Sequence, residues 1–188
     1  MNIMIVGVGG QGTLLTSRII GKTALSAGYD VKISEVHGMA QRGGSVVTYV
    51  RYGAKVNVPT VEEGGVDVLL AFEKLEALRY AHYLKKDGLL IVNNREIAPM
   101  TVVIGAAEYP ENILEKLQNE HTVYAINGEE LALSLGNAKV LNSVVLGLAA
   151  KHMELSKELW LNELQKTVPP KTIELNTKAF LLGYDSEQ

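Results

Sequence analysis

Only eight residues, 37–44, separate the apolar run that ends at Val36 from the one that starts at Ser45. A crossover between parallel strands needs about a dozen residues or more, usually with a helix among them. The two strands joined here must therefore run antiparallel. The chain opens differently. "NIMIVGV" reads as a short buried strand, and it runs into Gly7-Val8-Gly9-Gly10-Gln11-Gly12, a G-x-G-x-x-G pattern. Helical spacing follows at Leu15/Ile19 and Ile20/Ala24, closed by Gly28. A loop of this kind lets a ligand approach a helix N-terminus, where free N–H groups and the positive dipole end favour an anion. Glu35, near the end of the second strand, stands where dinucleotide-binding folds hold a ribose hydroxyl. NAD or FAD is the plain reading of that pattern, and close strand–helix packing is the other. The short connection after Val36 removes the second mononucleotide half. The expected fold is therefore α/β: a three-layer, Rossmann-like mixed sheet that starts β-α-β and turns back in an antiparallel third strand near 46–52.

Beyond that strand, "YGAK" predicts a hairpin turn into a short strand near 55–58. "VDVLLAF" predicts a buried strand, followed by a helix that carries Leu75, Leu78 and His82 and ends at Gly88. "LLIVNN" and "TVYAIN" read as further strands. Between them "MTVVIG" suggests a brief strand, and "PENILEKLQ" a helix with Pro110 at its first position. The remainder is helical, with Leu141, Val144, Val145 and Leu148 on one stripe. Ser156 is a candidate N-cap, Pro169-Pro170 a break, and the last helix should run to Gly183. These apolar stripes, Trp160 included, read as core or subunit interface. The expected organisation is one domain over 1–188, an α/β core at 1–135 with a helical extension at 136–188 packed on it.

Composition excludes several chemistries. With no cysteine among 188 residues, the chain can form no disulfide, thiolate zinc site, catalytic thiol or self-ligated iron–sulfur cluster. Its four histidines are far apart, so no metal site is expected. A net charge of −3 gives no basic face for nucleic acid. The apolar runs are too short to span a bilayer, and the N-terminus lacks the basic start of a signal peptide, so the cytoplasm is the expected compartment.

"GVGGQG" followed by "EVHGMAQRGGSV" resembles the beta (small) subunits of indolepyruvate:ferredoxin oxidoreductases and, more broadly, the gamma domains of 2-oxoacid:ferredoxin oxidoreductases. The stretches "AEYPENIL", "LNSVVLG" and "VPPKTIELNTKAFLLG" carry the likeness over nearly the whole chain, the last of them favouring the indolepyruvate branch. The resemblance implies a division of labour. Thiamine diphosphate with Mg²⁺ and 4Fe–4S clusters would sit on a larger alpha subunit, which also passes electrons to ferredoxin, while coenzyme A takes the acyl group. This chain would hold no cofactor alone, in keeping with its lack of cysteine and of a G-D-G…N-N stretch. A homodimer of the small subunit is a further expectation.

The edge at the carboxyl ends of the strands should gather the site. For contact with a cofactor or anion it offers Gly9, Gly10, Gln11, Gly12, Glu35, Ser45, Glu73 and Asn93. For a catalytic role the candidates are His37, Gln41 and Arg42. Arg42 can grip a carboxylate or phosphate with its planar fork, or pair with Glu35. His37 can shuttle a proton near neutral pH, or satisfy a backbone carbonyl. Gln11 and Gln41 can orient a ligand or tie the two loops together. Two other functions stay open at this point: a free-standing NAD(P)- or flavin-binding oxidoreductase, and a nucleotide-binding module without chemistry.

Overall fold

The computed structural model describes residues 1–37, without the His37 side chain, and residues 44–186. Gln41 and Arg42 therefore lie outside the described residues, as does the side chain of His37. Strands β1 (Asn2–Val8), β2 (Asp30–His37), β3 (Ser45–Gly53), β4 (Val66–Ala71), β5 (Leu84–Asn93) and β6 (Thr122–Ile126) form one sheet in the order β2-β3-β1-β4-β5-β6. β3 is antiparallel to both of its neighbours, Val8 facing Ser45 and His37 facing Val46, while β1, β4, β5 and β6 pair in parallel. This is the mixed sheet that the short connection required.

Helices cover both faces, which is why the central strands are continuous apolar runs. Helix α1 (Thr13–Ser26), α5 (Gly128–Ser134), α6 (Leu141–Lys151), α7 (Lys157–Thr167) and α8 (Ile173–Tyr184) share a core with Ile3, Ile5, Val50, Leu70 and Ile91. Helix α2 (Lys74–Tyr80) and α4 (Ile113–Glu120) cover the opposite face, against Met4, Val6, Leu69, Ala71 and Val92. The apolar stripes of the C-terminal third, Trp160 included, pack into the core shared with α1. Every residue of α6 from Leu141 to Ala150 is buried. Ser156 caps α7, its hydroxyl accepting the Leu159 N–H at 3.3 Å.

Four local expectations are corrected. Residues 55–58 form no strand, because side chains satisfy the backbone there. The Asp30 carboxylate accepts the Val56 N–H at 2.8 Å, and Arg51 donates to the carbonyls of Val58 and Thr60. "MTVV" is a single helical turn, α3 (Met100–Val103). The N–H groups of Val102 and Val103 turn back to the Pro99 carbonyl, so the backbone there is satisfied locally. The helix after Glu73 ends at Tyr80, continues as a 3₁₀ turn through Tyr83, and leaves His82 exposed. Gly88 lies inside β5, where a Cβ would meet the Val66 carbonyl at 3.0 Å. Finally, α4 starts at Ile113 after Asn112 at φ 56°, so Pro110 precedes the helix instead of opening it.

Candidate functional site

Two chain paths diverge between β1 and β4. From β1 the chain crosses one face through α1, and from β4 it crosses the other through α2. A crevice opens at such a point in an open α/β sheet. The carboxyl ends of β1, β4 and β5 meet the start of β3 there, and the glycine loop lies across them.

The loop is held by its own glutamine. Gln11 Oε1 accepts the Val8 N–H at 2.6 Å, and its Nε2 donates to the Phe72 carbonyl at 3.0 Å, tying β1 to β4. The Gly9 N–H donates to the Gly44 carbonyl at 2.9 Å, which joins this loop to the stem of the 38–43 segment. Gly12 caps α1 at φ 82°, and a Cβ there would stand 2.7 Å from Asn142 Nδ2. The first turn of α1 carries no side-chain cap and no acidic residue. The N–H groups of Thr13 and Leu14 have no partner within the helix, so among the described residues no side-chain cap or first-turn acid compensates the positive end of the dipole. Clefts flank the loop on both sides. One, about 480 Å³, runs past Thr13 and Leu14 to Glu35, whose carboxylate accepts the Thr48 hydroxyl at 3.2 Å. The other, about 620 Å³, is bordered by Arg95, Lys139 and Asn142, with Arg95 3.5 Å from Glu129. The open first turn of α1 lines the cleft with Glu35, and the glycine loop lines the one with Arg95, Lys139 and Glu129, so the backbone donors of the loop and the two basic side chains border a common space that can receive an anion.

The other predicted residues lie beneath this edge. Glu73, 1% exposed, caps α2 by accepting the Glu76 N–H at 2.9 Å, and it also accepts from the Ile97 N–H and the Tyr109 hydroxyl. Burial, then the Glu73 carboxylate, pushes the Tyr109 hydroxyl well above its ordinary range. Asn93 donates to the Phe72 carbonyl and accepts the Gly128 N–H, so it links β4 to the start of α5. Their polar groups are engaged inside the fold. The hydroxyl of Ser45 donates to Glu76 and lies 3.3 Å from the Tyr80 hydroxyl. The sequence pattern does not mark Glu76. A second glutamate three residues after Glu73, set between Leu75 and Ala77, was the available signal. Burial holds its carboxyl above the usual carboxylate range, and the Ser45 hydrogen bond and Arg79 pull partly back. Among the described residues, no group of three or more potential ligands is placed to hold a metal.

The family model for pyruvate ferredoxin/flavodoxin oxidoreductases matches residues 2–186. The chain belongs to that family. Indolepyruvate oxidoreductase subunit IorB of Thermococcus kodakarensis is 45% identical, covering 97% of this chain and 93% of its own. The 2-oxoglutarate synthase subunit KorC of Methanothermobacter marburgensis is 28% identical, covering 96% of this chain and 93% of its own. The solved gamma subunit of a keto/oxoacid ferredoxin oxidoreductase from Geobacter sulfurreducens is 27% identical at a TM-score of 0.73. That match covers 98% of this chain and 96% of that one. As a member of the family, the chain is an oxidoreductase subunit that works within a complex. No helix among its described residues is long and apolar enough to cross a membrane.

Proposed function

We propose that the chain is the small, non-autonomous subunit of a ferredoxin-dependent oxidoreductase that decarboxylates arylpyruvates, indolepyruvate first among them, to the acyl-coenzyme A. The observation that carries this reading is the 45% identity to the Thermococcus IorB subunit over nearly full length, against 28% for KorC. In this reading the larger alpha subunit holds thiamine diphosphate with Mg²⁺ and the iron–sulfur clusters, and the complex works in the cytoplasm. When bound there, thiamine diphosphate supplies the electron sink for decarboxylation, and the clusters accept the electrons one at a time for ferredoxin. This chain has no cysteine to ligate a cluster.

What this chain contributes is positioning and charge. The glycine loop and the open first turn of α1 offer backbone donors to an anionic group of substrate or coenzyme A. His37, Gln41 and Arg42 serve the partner-borne reaction in this proposal, Arg42 to grip a carboxylate or phosphate and His37 to move a proton. The test is a substrate panel on the complex co-purified with its larger subunit, read as viologen reduction. Indolepyruvate should exceed pyruvate and 2-oxoglutarate in kcat/KM by about tenfold or more, the scale on which a pocket separates such side chains. A complex that prefers either of the small acids contradicts the substrate assignment.

A further inference from the structure

Glu76 lies in the first turn of α2 and is only 4% exposed. One carboxylate oxygen accepts the Ser45 hydroxyl, and the other lies 3.5 Å from the guanidinium of the half-exposed Arg79. Among the described residues, the charged groups that face it are Glu73 and Arg79, both on or beside α2, and the Tyr80 hydroxyl lies 3.3 Å from its partner Ser45. Ser45 opens β3, and the preceding Gly44 carbonyl receives the Gly9 N–H at 2.9 Å. The Gly44–Ser45 stem is therefore fixed from two sides, by the glycine loop through backbone and by α2 through a carboxylate. A buried carboxylate is a costly way to hold a serine. Burial disfavours its charge, Glu73 repels it, and an apolar side chain would fill the same place at less expense. Buried carboxylates of this kind concentrate at functional sites.

We propose that Glu76 is a positioning residue for the oxidoreductase reaction: through the Ser45 hydroxyl it fixes the Gly44–Ser45 stem, and with it the glycine loop that Gly44 holds. The inference rests on the reading of the chain as the small subunit, whose glycine loop serves the partner-borne site.

The test uses the assembled complex carrying Glu76→Ala, Glu76→Gln, Ser45→Ala, or Glu76→Ala with Ser45→Ala. Each alanine variant should lower kcat by about tenfold, the scale of one hydrogen bond to a charged group. The double variant should be no worse than the poorer single one, because both act along one path. Glu76→Gln should recover most of the rate, since its amide carbonyl still accepts the Ser45 hydroxyl. It should also melt no lower than wild type near neutral pH, which separates positioning from folding. Wild-type kcat in Glu76→Ala, losses that multiply in the double variant, or a glutamine variant no better than alanine would each overturn the proposal. If Glu76→Ala does not assemble, Ser45→Ala decides alone, and wild-type kcat there overturns it. If the wild-type complex ignores arylpyruvates, the substrate reading fails, and the same variants still decide Glu76 on the 2-oxoacid that the complex does use.

Discussion

At the scale of single residues, the account separates groups that meet a ligand from groups that hold those in place. Arg42 belongs to the first kind in the proposed function. Arg42→Lys keeps the charge and loses the bidentate fork, so turnover of the complex should fall by about ten- to a hundredfold while gel filtration shows intact assembly. Turnover like wild type would make Arg42 a surface residue, and a complex that falls apart would make it an interface residue. Glu76 belongs to the second kind, and its protonation has a defined sign. The folded protein holds its proton more tightly than the unfolded chain does. The stability this contributes is complete below the ordinary value of 4.5 and is lost as pH rises through the raised folded value. Thermal melts of Glu76→Gln and wild type should therefore diverge in favour of the variant as pH rises from about 4.5. Parallel melting curves across that range would contradict the buried-carboxylate account. The same pair of residues shows how far sequence reaches. That the glycine loop and Ser45 share one sheet edge was legible because their pattern is local. Glu76 was not, because its burial arises only when α2 lies against the start of β3.

Among the elements, α6 and α8 cross with their backbones in close approach. A Cβ on Gly147 would stand 2.0 Å from the Phe180 carbonyl oxygen, and one on Gly183 would stand 1.9 Å from that of Val144. Two facing glycines let the backbones touch, and neither can take a methyl group unless the helices separate. Gly147→Ala should cost about 3 kcal/mol, the upper end of core overpacking, read from the shift in a denaturant midpoint. A change under about 0.5 kcal/mol, the range of ordinary surface substitutions, would show that the helices part freely. The sequence revealed α6 as an apolar stripe and Gly183 as a terminus, yet not that the two helices meet there. Strand order shows the same division. The antiparallel β3 followed from the length of one connection, and the buried strands from their apolar runs. The missing strand at 55–58 did not follow, because its backbone is satisfied by Asp30 and Arg51 from elsewhere in the chain. Gly88 misled for a related reason. It is a glycine because β5 passes the Val66 carbonyl closely, not because a helix stops there.

For the whole molecule, the sheet separates two apolar cores and presents one polar edge. Onto that edge converge the glycine loop, the open end of α1 and the Gly44–Ser45 stem. The arrangement supplies donors and charge to a site, and the chain has no cysteine to ligate an iron–sulfur cluster, so in the proposed function its activity should depend on a second chain. Titrating the purified chain into its purified larger subunit, with viologen reduction by indolepyruvate as the readout, tests that dependence most directly. Neither chain alone should turn over, and the rate should rise with added small subunit to a plateau at equal amounts. Full turnover by either chain alone, or a rate indifferent to the addition, would contradict the account.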